Sequence, residues 1–235
     1  MSENIFRMIK VSVVLPSMNE EETISICITK IRSVFVEYEI DGEIIVADNS
    51  EDQTPIIVKN LGATLITPDG KGYGYAYKYG FKEANGEIIV MGDADDTYDF
   101  NEIPNLLTPI INGEADFVLG NRFKGKMEKD AMPWLHKYIG NPFLTWILNL
   151  FYNSGISDTL CGLRAIKKES LDKLELKSDG MEFASEMIIN AVKKQVSIKE
   201  IPINYYKRKN DESKLSSFSD GWSVLKFILT NAIIR

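Results

Sequence analysis

Asp93 and Asp95 flank a single alanine directly after the apolar run Glu87-Ile-Ile-Val-Met91. Two carboxylates spaced this way at a strand end can converge, together with a diphosphate, on one hard divalent cation. Mg2+ or Mn2+ suits oxygen ligands of this kind. Such a cation would screen the diphosphate and stabilise a departing nucleoside diphosphate, which is Lewis-acid assistance. An isolated Asp-x-Asp is more often a solvated acidic turn or a charged helix start. Its position after the fourth in a series of β-rich runs favours the metal.

Other chemistry-bearing residues fall at equivalent places. Glu20 follows the run Val11-Ser-Val-Val-Leu15, and Asp48 closes Glu43-Ile-Ile-Val-Ala47. Both acids can accept hydrogen bonds from a nucleobase or ribose. The acidic run also suits a helix start capped by Ser17 or Asn19. Contact with a ligand is favoured for Glu20, and both readings stay open for Glu21 and Glu22. The Gly70-Lys-Gly-Tyr-Gly74 stretch lets backbone approach an anion ahead of a helix, with Lys71 as its charged member.

Arg122, Arg164, Arg208 and Lys214 stand at loop-like positions in an acidic chain, and a few such groups can bind one phosphate. An ion pair with Asp158 is the equal alternative for Arg164. The polar segment Tyr205 to Leu215 is expected to close over a donor. His136 is the single histidine, which excludes a His-based metal cluster or triad. A sugar hydroxyl acceptor normally needs a general base. A phosphate monoester, with a second pKa of about 6, is already a nucleophilic anion.

The elements that would position these groups alternate. Five β-rich runs, the two not yet named being Ala63-Thr-Leu-Ile66 (third in order) and Asp116-Phe-Val-Leu119 (fifth), are separated by helical candidates near 20–38, 53–60, 73–84 and 101–112. Runs buried on both faces read as parallel strands. The β-α-β-α order predicts a doubly wound α/β sheet with helices on both faces and ligands at the carboxyl ends of its strands. The second half reads as more helical.

Composition sets further bounds. The 235 residues carry 44% apolar content and no linker or repeat, so one domain is expected. A net charge of −7 excludes a protein that grips nucleic acid through bulk electrostatics. Cys27 and Cys161 are too far apart for a metal spacing and read as small core residues. Met1 to Lys10 has no secretory pattern, so a cytoplasmic catalytic part is expected. No run of about 18 apolar residues exists to span a bilayer.

Two apolar segments remain. Met132 to Tyr152 is interrupted by Pro142, and Phe218 to Ile234 carries Trp222, Phe227 and Lys226. They suit helices lying in a membrane interface, and equally suit covers for the sheet or a dimer contact.

Taken together, the motifs resemble family 2 inverting glycosyltransferases of the GT-A fold, in particular polyprenyl (dolichyl) phosphate sugar synthases. The resemblance rests on Val13-Val-Leu-Pro-Ser-Met-Asn-Glu20, Ala47-Asp-Asn-Ser50, Gly72-Tyr-Gly74, Gly92-Asp-Ala-Asp95, Gly120-Asn-Arg-Phe123, Asp158-Thr-Leu-Cys-Gly-Leu-Arg164, Gly180-Met-Glu-Phe-Ala-Ser-Glu186 and Glu212-Ser-Lys-Leu215. It implies that Pro16, Met18, Glu20, Val46 and Asp48 line the nucleoside site, with Lys71 and Ala94 also toward the donor. It implies that Asp93 and Asp95 address the metal and diphosphate and that Arg122, Arg208 and Lys214 hold phosphate-binding and loop-closing positions; the residues expected around an acceptor phosphate are Arg122, Arg164, Ser213 and Lys214. Asp95, Arg122, Arg208 and Lys214 are the catalytic set in this reading.

Two positions depart from the family pattern. Thr97 stands where many mannose-transferring members have Gln, and Glu212 where Gly precedes Ser-Lys-Leu. The segments Met132-Pro-Trp-Leu-His136 and Gly180-Met-Glu-Phe183 look closer to glucose or N-acetylglucosamine synthases, which favours a UDP donor. The expected layout is a nucleotide-binding half over about 10–122, an acceptor-binding half over about 123–215 and an apolar helix over about 218–235. The expected partners are a nucleotide-sugar, a polyprenyl or dolichyl phosphate and the inner face of the cell membrane, with no nucleic acid. A saccharide acceptor served by Asp158 or Glu186 as base, and a non-catalytic nucleotide-sugar binding module, are the alternatives.

Overall fold

Four of five short runs of β-branched and aliphatic residues are buried on both sides, the third (residues 64–66) only partly, so the sheet they form needs a helical layer above and below it. A computed structural model of the chain describes residues 5–7, 9–209 and 217–233, the side chains of 217, 218 and 233 excepted. The runs become β1 (Lys10–Ser17), β2 (Asp41–Asp48), β3 (Thr64–Ile66), β4 (Ile88–Met91) and β5 (Phe117–Asn121). The helices between them are α1 (Ile24–Glu37), α2 (Thr54–Asn60), α3 (Tyr73–Glu83) and α4 (Ile103–Ile111). Strands β1 to β4 pair in parallel, with β1 at the centre of that group.

Alternation across the pleat sorts the core into two layers. Val11, Val13 and Leu15 pack with α1 and α4 residues such as Ile28, Ile31 and Leu106. Val14, Ile45 and Ile89 pack on the other side, with Tyr77 of α3 and residues of the later helices. Each fully buried aliphatic side chain contributes about 1.5–3 kcal/mol, so these two layers carry most of the stabilisation.

After β5 come α5 (Asn141–Tyr152), β6 (Arg164–Lys167), α6 (Lys168–Lys173), α7 (Phe183–Lys193), β7 (Ile198–Pro202) and α8 (Ser217–Ile233). Two strands here were not expected. The sheet order is β3-β2-β1-β4-β6-β5-β7, with β6 antiparallel to both neighbours and β7 parallel to β5. The sheet is therefore mostly parallel but mixed. Strands from both expected halves share it, so no structural seam falls at residue 122.

Pro142 was read as an interruption. It lies in the first turn of α5, where a missing N–H costs nothing. One face of α5 packs through Leu144, Ile147 and Leu148, and Tyr152 donates to the Ile228 carbonyl of α8 at 3.1 Å. The opposite face exposes Phe143, Trp146, Leu150 and Phe151. No helix among the described residues is long and apolar enough to cross a membrane.

Candidate active site

The parallel strands deliver their C-terminal residues to one edge. Asp48 ends β2 opposite Ser17 of β1, and Asp93 and Asp95 follow β4. The chain leaving β7 returns to the same edge. Tyr205 bridges Tyr98, and the Tyr206 N–H donates to the Thr97 carbonyl at 2.9 Å. This lays the segment alongside residues 97–98. Arg208 thereby reaches Glu20 at 2.6 Å through Nη2 and stands 3.7 Å from Asp95 Oδ2 through Nε, while Lys209 pairs with Asp96 at 3.0 Å.

Glu20 is thus turned into the site. Its backbone carbonyl begins the turn into α1, accepting from the N–H groups of Thr23 and Ile24, while its carboxylate accepts from Arg208 and, at 3.2 Å, from the Thr23 hydroxyl. Asp48 is 2% exposed and accepts from the Ser50 hydroxyl. Pro16 is half-buried and Met18 exposed at this edge, whereas Val46 is sealed in the core on the α1 side. Ala94 is buried, its carbonyl accepting from the Thr23 hydroxyl at 2.8 Å. Lys71 is exposed on the turn before α3. Ser213, Lys214 and Glu212 lie outside the described residues, as does the expected closure of that loop.

Two arginines are placed differently from the phosphate-binding expectation. Arg122 is buried and bidentate to Asp158, Nε to Oδ2 at 2.8 Å and Nη2 to Oδ1 at 2.7 Å, with its guanidinium 5.2 Å from the Tyr205 ring centroid. Burial works against its charge and Asp158 outweighs that, holding Arg122 well above its ordinary range. Arg164 is 1% exposed and donates to the carbonyls of Cys161, Ala184 and Thr159. The Asp158 pair considered for Arg164 therefore belongs to Arg122. Both guanidiniums brace the floor of the edge, because a buried cation must find acceptors wherever the chain supplies them.

The two acids considered as general bases are also occupied. Asp158 is fully buried under Arg122, and Glu186 accepts from the N–H groups of Lys177 and Ser178 at 3.0 and 2.8 Å.

Asp93 is half-buried beside Asp95. Burial, and then the Asp95 charge, push its carboxyl up to about 7. A pair of carboxylates held this way favours a counter-cation. Among the described residues no group of three or more His, Cys, Asp or Glu could hold a metal unaided. Two carboxylates do fit a Mg2+- or Mn2+-type ion whose remaining ligands are diphosphate oxygens and water. An edge also carrying Glu20 and Asp48 would otherwise repel a diphosphate.

Residues 12–175 match the family described as glycosyl transferase family 2. The chain belongs to that family. The match spans β1 through α6 and includes Glu20, Asp48, Asp93 and Asp95. This family 2 glycosyltransferase is 48% identical over 221 residues to the low-salt glycan biosynthesis hexosyltransferase Agl6 of Haloferax volcanii, covering 94% of the chain and 53% of the relative. It therefore spans about half the length of that relative. It is 30% identical to a dolichyl-phosphate hexose transferase of the same organism, covering 93% and 92% of the two chains. It is 31% identical to the UDP-N-acetylglucosamine–dolichyl-phosphate N-acetylglucosaminyltransferase of Methanococcus voltae, covering 81% and 83%.

Among solved structures, glucosyl-3-phosphoglycerate synthase of Mycobacterium tuberculosis in complex with Mn2+, UDP and glucosyl-3-phosphoglycerate superposes with a TM-score of 0.77. The identity is 23%, and 98% and 82% of the chains are covered. This likeness establishes the GT-A-type fold.

Three residues that reach the acids, Tyr73, Tyr77 and Thr97, and a fourth beside them, Tyr98, were not singled out for these contacts. The Tyr73 hydroxyl donates to Asp93 at 3.0 Å, Thr97 donates to Asp95 at 2.6 Å, and the Tyr98 oxygen accepts from the Gly162 N–H at 2.8 Å. Tyr77 lies one helical turn beyond Tyr73 on the same face of α3. That i, i+4 spacing was the available signal.

Proposed function

We propose that this family 2 glycosyltransferase moves a sugar from a nucleotide-sugar, with UDP the favoured nucleotide, to a polyprenyl or dolichyl phosphate. The configuration at the anomeric carbon inverts and the product is a lipid monophosphate sugar for glycan assembly. The observation that carries the reading is that Asp93 and Asp95 stand together at an edge where, among the described residues, both acids considered as a general base are already engaged. Asp158 and Glu186 are both locked in buried hydrogen bonds, and the one histidine, His136, stands before α5. An acceptor that brings its own anion suits such a site. The relatives named for dolichyl-phosphate transfer support the same reading.

In this mechanism Glu20 and Asp48 accept hydrogen bonds from the nucleoside at the ends of β1 and β2. Asp93 and Asp95 would hold the divalent cation, which when bound supplies charge neutralisation to the leaving diphosphate. Arg208 is placed to leave Glu20 for a phosphate oxygen, either of donor or acceptor. The acceptor phosphate oxygen attacks the anomeric carbon as the nucleoside diphosphate departs from the opposite side. Positioning and fixed charge supply most of the rate. Exposed aromatic side chains on α5 and α8, Trp146 and Trp222 among them, support a peripheral seat on the membrane that holds the lipid.

The test is incubation with radiolabelled UDP-glucose, UDP-N-acetylglucosamine or GDP-mannose, short-chain polyprenyl phosphate and Mg2+ or Mn2+. Organic-extractable label from one UDP-sugar is expected. A water-soluble glycosylated product, or donor hydrolysis with none of the label in lipid, overturns the acceptor assignment.

A further inference from the structure

Each metal-facing carboxylate is gripped through one oxygen. On Asp93 it is Oδ1, which takes the Tyr73 hydroxyl at 3.0 Å and has the Tyr77 hydroxyl at 3.5 Å. On Asp95 it is again Oδ1, which takes the Thr97 hydroxyl at 2.6 Å and the Thr97 N–H at 3.1 Å. The other oxygens are turned elsewhere. Asp95 Oδ2 is the atom Arg208 Nε approaches at 3.7 Å. Asp93 Oδ2 lies against the backbone of Gly162, where a methyl group would stand 2.8 Å from it. A side chain there would crowd the carboxylate, and glycine leaves it room.

The hydroxyls come from different elements. Tyr73 opens α3 after Gly70-Lys-Gly72, and its ring packs edge-on to Tyr77 at 5.0 Å. Thr97 is 4% exposed, and its carbonyl accepts the N–H of Tyr206 in the segment that carries Arg208. The orientation of Asp95 is therefore tied to that segment. The terminal torsion of a carboxylate is broad and weakly preferred, so an unsupported Asp would present either oxygen.

We propose that Tyr73 and Thr97 are positioning residues, each pinning Oδ1 of its carboxylate so that Oδ2 of Asp93 and of Asp95 face a shared divalent cation. The inference rests on reading the two acids as cation ligands. Thr97 then acts through Asp95, not as a ligand itself. The motif Gly72-Tyr-Gly74 serves to bring a hydroxyl to Asp93 in place of cradling a phosphate.

The test is Mn2+ binding at saturating UDP, read from the paramagnetic resonance signal of free Mn2+, for the intact chain and for Thr97→Val, Thr97→Ser, Tyr73→Phe and Tyr73→Phe/Tyr77→Phe. Thr97→Val and the Tyr→Phe changes keep side-chain volume and remove the hydroxyl, Thr97→Ser keeps the hydroxyl and removes a methyl group, and urea unfolding confirms that each variant is folded. Outer-shell partners of metal ligands are worth about 10- to 100-fold in affinity, and losses of that size are expected for Thr97→Val and for the double tyrosine variant. Thr97→Ser restores wild-type binding.

Unchanged Mn2+ affinity in Thr97→Val and in the tyrosine variants overturns the inference while leaving the cation site intact. A loss in Thr97→Ser equal to that in Thr97→Val also overturns it, since packing and not the hydroxyl would be responsible. Absence of Mn2+ binding by the unaltered chain removes the cation site and this inference with it. Transfer to lipid phosphate is decided separately by the label-transfer assay.

Discussion

Asp93 carries a raised carboxyl, up to about 7 against an unfolded value of 3.8, because burial and then Asp95 disfavour its charge. A carboxyl raised in the folded state stabilises the fold below its unfolded value, and that contribution is lost as pH rises through the folded one. Metal-free protein is therefore predicted to lose stability between about pH 4 and 7, and Asp93→Asn to flatten that slope in thermal melts. Arg122 and Asp158 make the opposite kind of contribution. Asp158→Ala strands a buried guanidinium and is predicted to cost about 3–5 kcal/mol in urea unfolding. The position of Asp93 and Asp95 at the carboxyl edge was legible because their spacing and their place after a β-rich run define it. The partner of Arg122 was not, since 36 residues separate it from Asp158 and only the fold brings them together.

At the scale of elements, α3 and α7 meet through Gly74. A Cβ there would lie 2.6 Å from both Phe183 Cβ and the Ser178 carbonyl oxygen. Gly74→Ala must push α3 outward, taking Tyr73 with it. It is predicted to cost about 1–3 kcal/mol by urea midpoint and to weaken Mn2+ binding with UDP present. Strands β1, β2, β4 and β5 were readable because Val, Ile and Leu runs buried on both faces leave a continuous apolar signature, and β3 because Thr64-Leu-Ile66 is β-rich although only partly buried. Strand β6 escaped notice because Arg164-Ala-Ile-Lys167 is short and charged at both ends, and its buried Arg164 is satisfied by backbone carbonyls of Thr159, Cys161 and Ala184 that only the fold turns toward it. Strand β7, Ile-Lys-Glu-Ile-Pro, alternates weakly and ends in proline.

Across the whole molecule, charge and apolar surface are segregated. The carboxyl edge of the sheet is acidic, while α5 and α8 expose Trp146 at 58% and Trp222 at 63%. Clustered exposed aromatics of this kind support the proposed seat on a membrane. Trp146→Ser/Trp222→Ser is predicted to reduce co-sedimentation with phospholipid vesicles by about tenfold or more while UDP binding persists. Equal sedimentation of the variant and the unaltered chain would assign that face to another contact. Composition foretold the apolar segments but not which side of each helix would remain uncovered, because that depends on how α8 packs onto α5.

The measurement that bears most directly on the account is a paired transfer assay. The unaltered chain and Asp95→Ala receive the same radiolabelled UDP-sugar, polyprenyl phosphate and Mn2+, with circular dichroism confirming equal folding. The account predicts label in the organic phase for the unaltered chain, and a loss of about 100-fold or more for Asp95→Ala, as expected when several kcal/mol of charge stabilisation are removed. Full transfer by Asp95→Ala, or label that never enters the organic phase with the unaltered chain, would contradict it.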